Sequence, residues 1–130
     1  MSCSIPEELS FHSSHLWVKA DETLGEAYIG VSDFAQKQLG SIVFVELPRV
    51  GQCIDVDSAF GTVESYKVVS DLIAPLSGEV LECNGALKDA AGTLNADCYG
   101  AGWLVKIKLH DVGQLSSLLA AGDYRALVGA

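Results

Sequence analysis

Short apolar runs, most of them bounded by glycine, proline or acidic residues, follow one another along the chain. Two such runs flank a single lysine, Lys67, in the stretch FGTVESYKVVSDLIAPLSGEV at residues 60–80. In the upstream arm, Ile54, Val56, Phe60 and Val63 are mostly separated by acidic or small residues, and the downstream arm is rich in β-branched residues. This pattern predicts paired strands with Lys67 near their junction. No Asn-Gly or Asp-Gly marks a tight turn, which leaves the loop geometry open.

The rest of the pattern also favours strands. Residues 11–31 predict a β-hairpin that turns at 21–25. Residues 41–47, SIVFVEL, form a nearly continuous β-branched run, which predicts a strand buried on both faces. A further strand begins at Leu81 and loosens before Cys98. Apolar residues alternate with lysines at 104–109, as in a half-exposed strand.

Helices are predicted to be short. Ser32 is a good N-cap and Gly40 a good C-terminal residue, so about two helical turns are expected between them. Asp111 can cap a second helix, which Gly122 would end, and Asp123 would begin a last short turn.

Length and composition predict one domain, residues 1–130, that is large enough to bury a core. The fold class is therefore expected to be mainly β, a small sandwich with short flanking helices. Four aromatic residues in strand-like runs are predicted to lie in the core: Trp17, Phe44, Phe60 and Trp103.

The charge balance restricts the partners. Eight Lys and Arg residues against 17 Asp and Glu residues give a formal net charge of −9, and the basic residues form no cluster. We therefore expect neither nucleic acid nor a membrane as a partner. Residues 1–10 lack the basic and apolar regions of a signal peptide. The expected location is the bacterial cytoplasm, or the mitochondrial matrix if the chain is a processed eukaryotic protein.

Candidate chemistry within the chain itself is sparse. The cysteines at 3, 53, 83 and 98 lack zinc-site spacing, so reduced thiols and no metal site are expected. No phosphate loop, serine triad or paired carboxylates are visible, which predicts no catalytic residues. Lys67 is open to two interpretations: a solvated charge, or an exposed amine that a modifying enzyme acylates.

A family resemblance bears on that choice. The stretch GTVESYKVVSD…APLSGEV resembles the lipoyl-lysine segment of the glycine cleavage system H protein family. The likeness continues in IGVSDFAQKQLGSIVFVELPRVGQ and ADCYGAGWLVKIKL, and includes His15 and Trp17. It covers roughly residues 11–127.

The resemblance implies a barrel-sandwich hybrid of the lipoyl/biotinyl carrier type, with the lysine at a hairpin tip and short flanking and C-terminal helices. It implies lipoate covalently attached to Lys67. Glu64 and Gly78 match positions that lipoylating enzymes read, and Asp71 matches an acidic residue that contacts the arm. From the residues alone, the alternative for Glu64 is a solvated strand carboxylate and that for Gly78 is a plain turn, and an ordinary turn role fits Asp71 equally well.

The implied function is that of a non-catalytic, monomeric carrier. Lipoyl-Lys67 would take the methylamine group of glycine from a pyridoxal-phosphate glycine decarboxylase to a tetrahydrofolate-dependent aminomethyltransferase. The flavoprotein dihydrolipoamide dehydrogenase would then reoxidise the arm. A lipoate ligase or lipoyl transferase would attach the lipoate.

Some positions depart from the family pattern. Leu16 stands where the family usually has a glutamate near the arm, Tyr66 and Cys98 also differ from the usual residues, and Gln38 stands where some members have a histidine. Leu16 keeps open an alternative, an H-like lipoyl relay that serves another lipoate-dependent pathway. A biotinyl carrier or a dehydrogenase lipoyl domain fits less well, because biotinyl carriers have methionines where Tyr66 and Val68 flank the lysine.

Overall fold

Two antiparallel sheets contribute side chains to one main core in the computed structural model, which describes residues 4–129. Ten strands form a seven-stranded sheet, in the order β10-β1-β2-β3-β9-β8-β5, and a three-stranded sheet, in the order β4-β6-β7. The predicted mainly β sandwich with short helices is confirmed. No helix in residues 4–129 is long and apolar enough to cross a membrane.

The strands are short, and most belong to hairpins or meanders. Their bounds are β1 Ser10–Phe11, β2 Leu16–Asp21, β3 Glu26–Val31, β4 Ile42–Glu46, β5 Cys53–Ile54, β6 Ala59–Ser65, β7 Val69–Ile73, β8 Gly78–Cys83, β9 Val105–Leu109 and β10 Leu119–Ala120. The helical segments are α1 Asp33–Leu39, α2 Ala86–Asp89, α3 Thr93–Ala96, a 3-10 helix Val112–Ser117, and α4 Ala121–Val128.

Helix α1 follows the predicted capping chemistry. Ser32 accepts a hydrogen bond from the backbone N–H of Ala35 at 3.2 Å, and Asp33 lies in the positively polarised first turn. Gly40 ends the helix with φ +81°, a conformation that strains any residue with a Cβ. Strand β4 can therefore begin two residues later, in the small sheet.

A second apolar cluster fixes the C-terminal helix to the outside of the large sheet. The rings of Phe11 and Tyr124 stack at 4.4 Å between centroids, and Trp17 packs in the same cluster. The indole N–H of Trp17 donates to the carbonyl of Cys98 at 2.9 Å, so the buried polar atom of this large side chain is satisfied. Gly30 pairs directly with Trp17 and leaves room for its ring.

The core prediction was wrong for Phe44. Trp17 and Phe60 are buried and Trp103 is half-buried, but Phe44 is 51% exposed and its neighbour Val43 is exposed as well. A β-bulge between Ile42 and Phe44 shifts the register against β6, and no second layer within residues 4–129 buries the outer face of the three-stranded sheet at this position. The apolar run is therefore buried on only one face.

The C-terminal prediction was wrong in its boundaries. Asp111 does act as a cap, because its carboxylate accepts from the N–H of Gly113, but it starts a 3-10 helix. The chain then adds strand β10 before helix α4 begins at Ala121. Gly122 lies in the first turn of α4 and does not end a helix, because the left-handed C-terminal position belongs to Gly129.

Replacement by alanine should change the free energy of unfolding in opposite directions at Gly30, which packs against Trp17, and at Gly122, which lies in α4. Gly30→Ala would push a Cβ into the indole ring of Trp17, and we expect the free energy of unfolding to fall by roughly 2 kcal/mol. Gly122 has helical backbone, and a Cβ there meets no atom within 4 Å. Gly122→Ala should therefore raise the free energy of unfolding by about 0.5 kcal/mol. Denaturant unfolding followed by circular dichroism measures both. Equal effects of the two changes would contradict the packing of Trp17 against Gly30.

Candidate functional site

Lys67 lies at the tip of the hairpin formed by β6 and β7. The three residues Tyr66, Lys67 and Val68 join the strands, and all three are exposed. Ser65, which is buried, closes the loop: its N–H donates to the carbonyl of Val68 at 2.8 Å, and its hydroxyl accepts from the N–H groups of Lys67 and Val68 at 3.2 Å each. The turn is thus held by a serine side chain.

Sequence reasoning missed Ser65. A serine one residue before an exposed loop is a signal for such a turn, but it is weaker than Asn-Gly. Its effect is to fix the backbone on both sides of Lys67 while the lysine side chain stays free of the turn.

The stem of Lys67 runs over the end of helix α1. A Cβ placed on Gly40 would lie 3.1 Å from Cε of the lysine, so the glycine at this position also makes room for the stem. Asn95 secures the segment below: its side-chain amide donates to the carbonyl of Gly40 at 2.9 Å, and its oxygen accepts from the N–H of Ile42 at 2.8 Å. Asn95 was not predicted, because it is more than 50 residues distant in sequence from its partners.

A cleft of about 380 Å³ opens between α1 and the small sheet, beside the hairpin. Strand β7 supplies Ser70 and Asp71, three and four residues after Lys67. The walls are mostly apolar and the polar groups are few. The cleft is lined by Ser14, His15, Leu16, Val31, Phe34, Ala35, Gln38, Leu39, Val63, Ser70, Asp71 and Leu72.

His15 is held in this cleft by the C-terminal helix. Its Nδ1 lies 2.9 Å from the hydroxyl of Tyr124, which is itself 2.7 Å from Oγ of Ser32. Burial lowers the pKa of His15 below its ordinary value, so the imidazole is neutral at pH 7. The cleft therefore gains a polar but uncharged wall at this position.

Leu16, next to this histidine, is buried and makes the adjoining wall apolar. Among the residues that line the cleft, Asp71 is the only carboxylate. A cation at the end of an arm would have that one charged group available.

The predicted site residues are divided between the two sheets. Glu64 and Asp71 lie on the same hairpin as Lys67, exposed, in β6 and β7 respectively. Gly78 begins strand β8 of the large sheet and is buried. A Cβ on Gly78 would lie 2.5 Å from the carbonyl oxygen of Lys108 and 2.9 Å from Cδ1 of Ile107, so the neighbouring strand leaves no space for a side chain.

The described thiols do not form part of this site. Cys53 and Cys83 lie in strands of the large sheet, and Cys3 lies outside the described residues. Cys98 is buried, and that burial raises the pKa of its thiol to about 12. Within residues 4–129 no group of three or more His, Cys, Asp or Glu side chains is placed to hold a metal ion.

Known proteins resemble the chain over almost its entire length. A family model described as Glycine cleavage H-protein matches residues 9–130. A glycine cleavage system H protein of Chlorobium limicola is 49% identical over 126 residues, which cover 97% of this chain and 98% of that protein. One from Bacteroides thetaiotaomicron is 42% identical over 125 residues, covering 96% and 98% respectively.

The fold is shared as well. The crystal structure of a glycine cleavage system H protein from Mycobacterium marinum superposes with a TM-score of 0.90 at 39% identity, over 97% of this chain and 100% of that one. With matched sequence over nearly the whole length and the same arrangement of sheets, the chain belongs to the glycine cleavage H-protein family.

Proposed function

We propose that this chain is the lipoyl carrier of a glycine cleavage system, with lipoate joined to Nζ of Lys67 by an amide bond. The observation that carries the proposal is the position of Lys67: exposed, at the tip of a hairpin closed by Ser65, and beside a mainly apolar cleft. Membership of the family supports it.

The residues around Lys67 fit a lipoyl group. That group has a hydrocarbon chain and a five-membered disulfide ring, both apolar, and the cleft offers walls of similar character. Gly40 leaves the lysine stem free to pass over the end of α1. When bound, lipoate supplies a disulfide that opens to a dithiol and carries the transferred group.

The chain's own residues position this arm. Ser65 holds the turn, so that the arm starts from a defined point on the surface. The exposed loop lets a partner's active site approach, and the tether raises the effective concentration of the arm at a docked partner. No general acid or base is required of the chain for this role, in agreement with a carrier subunit.

The proposed partners are those of the cycle: the pyridoxal-phosphate glycine decarboxylase, the tetrahydrofolate-dependent aminomethyltransferase and the flavoprotein dihydrolipoamide dehydrogenase. A lipoate ligase or lipoyl transferase would modify Lys67. The chain would act as a cytoplasmic monomer. Its strongly acidic charge supports brief encounters with partners that have basic surfaces.

Asp71 is proposed to receive the cationic end of the loaded arm. It is the only carboxylate that lines the cleft, and Leu16 stands where a glutamate is usual. Glycine chemistry remains favoured over a lipoyl relay without it, because that carboxylate and the neutral His15 both line the cleft. The two functions are separated by intact mass: lipoylated protein incubated with glycine and the decarboxylase should gain a methylamine group. A lipoyl mass increase with no further gain would favour the relay.

Lys67→Arg should fold normally and lose all lipoylation, because a guanidinium is not an acceptor for the lipoyl group and the side chain is exposed. Lys88→Arg, at an exposed position in α2, is the matched control and should be lipoylated like the wild type. Intact mass and thermal unfolding are measured for both. Lipoylation of Lys67→Arg would contradict the assignment, and loss of its stability would contradict the tip position.

Gly78→Ala should reduce the free energy of unfolding by roughly 2 kcal/mol, because the new methyl group meets the backbone of Lys108. Gly85→Ala is the control. Its new methyl group meets no atom within 4 Å, so the free energy of unfolding should change little. Lipoylation is then compared well below both melting temperatures. A fully stable Gly78→Ala that is not lipoylated would show that the modifying enzyme reads the glycine directly.

Asp71→Asn should be lipoylated but should lose its methylamine group faster, because the neutral amide no longer attracts the cation. We expect a decrease of about fivefold in the half-life of the loaded form, as for the loss of one charge-assisted hydrogen bond. Asp55→Asn, exposed and outside the cleft, is the control. Time-resolved intact mass after removal of glycine gives the half-lives, and equal values would contradict the role of Asp71.

A further inference from the structure

A histidine outside the cleft connects a hydroxyl in the cleft wall to a carboxylate on the surface. Ser14 lines the cleft, and its Oγ lies 2.7 Å from Nδ1 of His12. On the other side of the ring, Nε2 of His12 lies 2.9 Å from Oδ1 of Asp57. Neither His12 nor Asp57 lines the cleft itself. The sequence did not predict this link, because Asp57 is 45 residues away from His12.

The three side chains meet where strand β7 ends. The N–H of Asp57 donates to the carbonyl of Ala74 at 2.8 Å, and Oγ of Ser14 lies 3.3 Å from the carbonyl oxygen of Ile73. Asp57 has φ +66°, a conformation that Asp and Asn tolerate better than most residues. The loop before β2 and the loop before β6 therefore lie side by side at this point, and His12 bridges them.

The hydrogen bonds determine which ring nitrogen of His12 carries the proton. The backbone N–H of Ser14 donates to Nδ1 at 3.0 Å, so Nδ1 is an acceptor and bears no proton. The ring proton is therefore on Nε2 and is donated to the carboxylate of Asp57. At 2.7 Å the hydroxyl of Ser14 must direct its own proton to Nδ1, because lone pairs would otherwise face each other. The lone pairs of Oγ remain available to the cleft.

This arrangement orients the serine and does not activate it as a nucleophile. A general base would have to accept the hydroxyl proton, but a proton on Nδ1 of His12 would point at the backbone N–H of Ser14 that now donates there. The hydrogen bonds from serine to imidazole and from imidazole to carboxylate polarise one another, which makes Oγ a stronger acceptor. A cationic N–H donor, such as a primary ammonium group, gains most from such an acceptor.

We infer that His12 and Asp57 are positioning residues that keep Ser14 as an acceptor for the cationic end of a loaded arm, an inference that rests on the proposed function. The cleft has little negative charge of its own, because Leu16 is apolar and Asp71 is the only carboxylate among the lining residues. Asp57 adds to it through His12 without entering the cleft. Its side chain is 73% exposed, so this contribution is small.

The hydrogen-bond directions are tested first on the unmodified protein. Proton–nitrogen NMR correlation spectra show which imidazole nitrogen carries the proton, and His12→Asn identifies the signals of His12 by their loss. We expect a proton on Nε2 and none on Nδ1. Asp57→Asn should shift the Nε2 signal, whereas Asp55→Asn, at an exposed position in the same loop, should leave it unchanged. A proton on Nδ1 would overturn the inference whether or not the protein is lipoylated.

The effect on the cleft is tested by the half-life of the loaded form, from time-resolved intact mass after removal of glycine. Asp57→Asn should shorten the half-life by about twofold and Ser14→Ala by about fivefold. Asp57→Asn combined with Ser14→Ala should match Ser14→Ala alone, because Asp57 acts only through the serine. Asp55→Asn removes the same charge from the same loop and should leave the half-life unchanged.

His12→Asn separates the orienting role from a structural one. An asparagine side chain can accept from the N–H two residues further on, so the local turn is kept, but it is too short to reach Asp57 as well. We expect the same shortening of the half-life as for Asp57→Asn, with unchanged lipoylation and thermal unfolding. If His12 only supported the turn, His12→Asn would keep the half-life of the wild type.

The remaining outcomes are distinct. Wild-type protein that gains no lipoyl mass, or no methylamine group once lipoylated, would overturn the proposed function and this inference with it. Loaded wild-type protein with equal half-lives for Asp57→Asn and Asp55→Asn would overturn the inference alone, and so would an effect of Asp57→Asn that persists beside Ser14→Ala. If His12→Asn or Ser14→Ala does not fold, the comparison of Asp57→Asn with Asp55→Asn decides.

Discussion

The position of the lysine depends on strand β6, which is paired along both of its edges. It hydrogen-bonds to β4 on one side and to β7 on the other, while Val63 and Ser65 are buried beneath it. A two-stranded hairpin alone would be marginally stable in water, but a third strand and a buried face make this one rigid. Because Ser65 ends β6 and also closes the loop, the order of the strand extends to Lys67. The side chain that would be modified is thus exposed, whereas its attachment point is held by the turn.

A held attachment point with an exposed lysine fits the small amount of chemistry that the cleft itself contains. The cleft supplies apolar walls, a neutral histidine and a single carboxylate. Two of its lining residues, Ser70 and Asp71, follow Lys67 closely in the sequence. Tyr124 connects this cleft to the second apolar cluster, through its hydroxyl contact with His15 and its ring contact with Phe11. The C-terminal helix therefore contributes to the cleft wall, although it lies far from the lysine in sequence.

The sequence predicted local features better than distant ones. The tip position of Lys67, the capping of α1 by Ser32 and the end of that helix at Gly40 follow from residues close together in the chain, and the structure has all three. The links from Asn95 to Gly40 and from His15 to Tyr124 span 55 and 109 residues, and no local pattern indicates them. The sequence predicts Phe44 in the core because an apolar strand residue has the same periodicity whether a second layer covers it or its face is exposed, as it is here. Gly122 was misplaced for a related reason, since a glycine is compatible with both the first turn and the end of a helix.

An exposed apolar strand face is a hazard for a soluble protein, and the arrangement of charges on this one reduces the hazard. Strands β4 and β7 form the two edges of the small sheet, where unpaired backbone groups can recruit another strand. Glu46 and Asp71 lie on these edge strands, and Glu64 on the central strand pairs with Phe44 on one side and Val69 on the other. Two copies of the chain that met face to face or edge to edge would place carboxylates against carboxylates. The single sign of these charges therefore opposes association of the chain with itself.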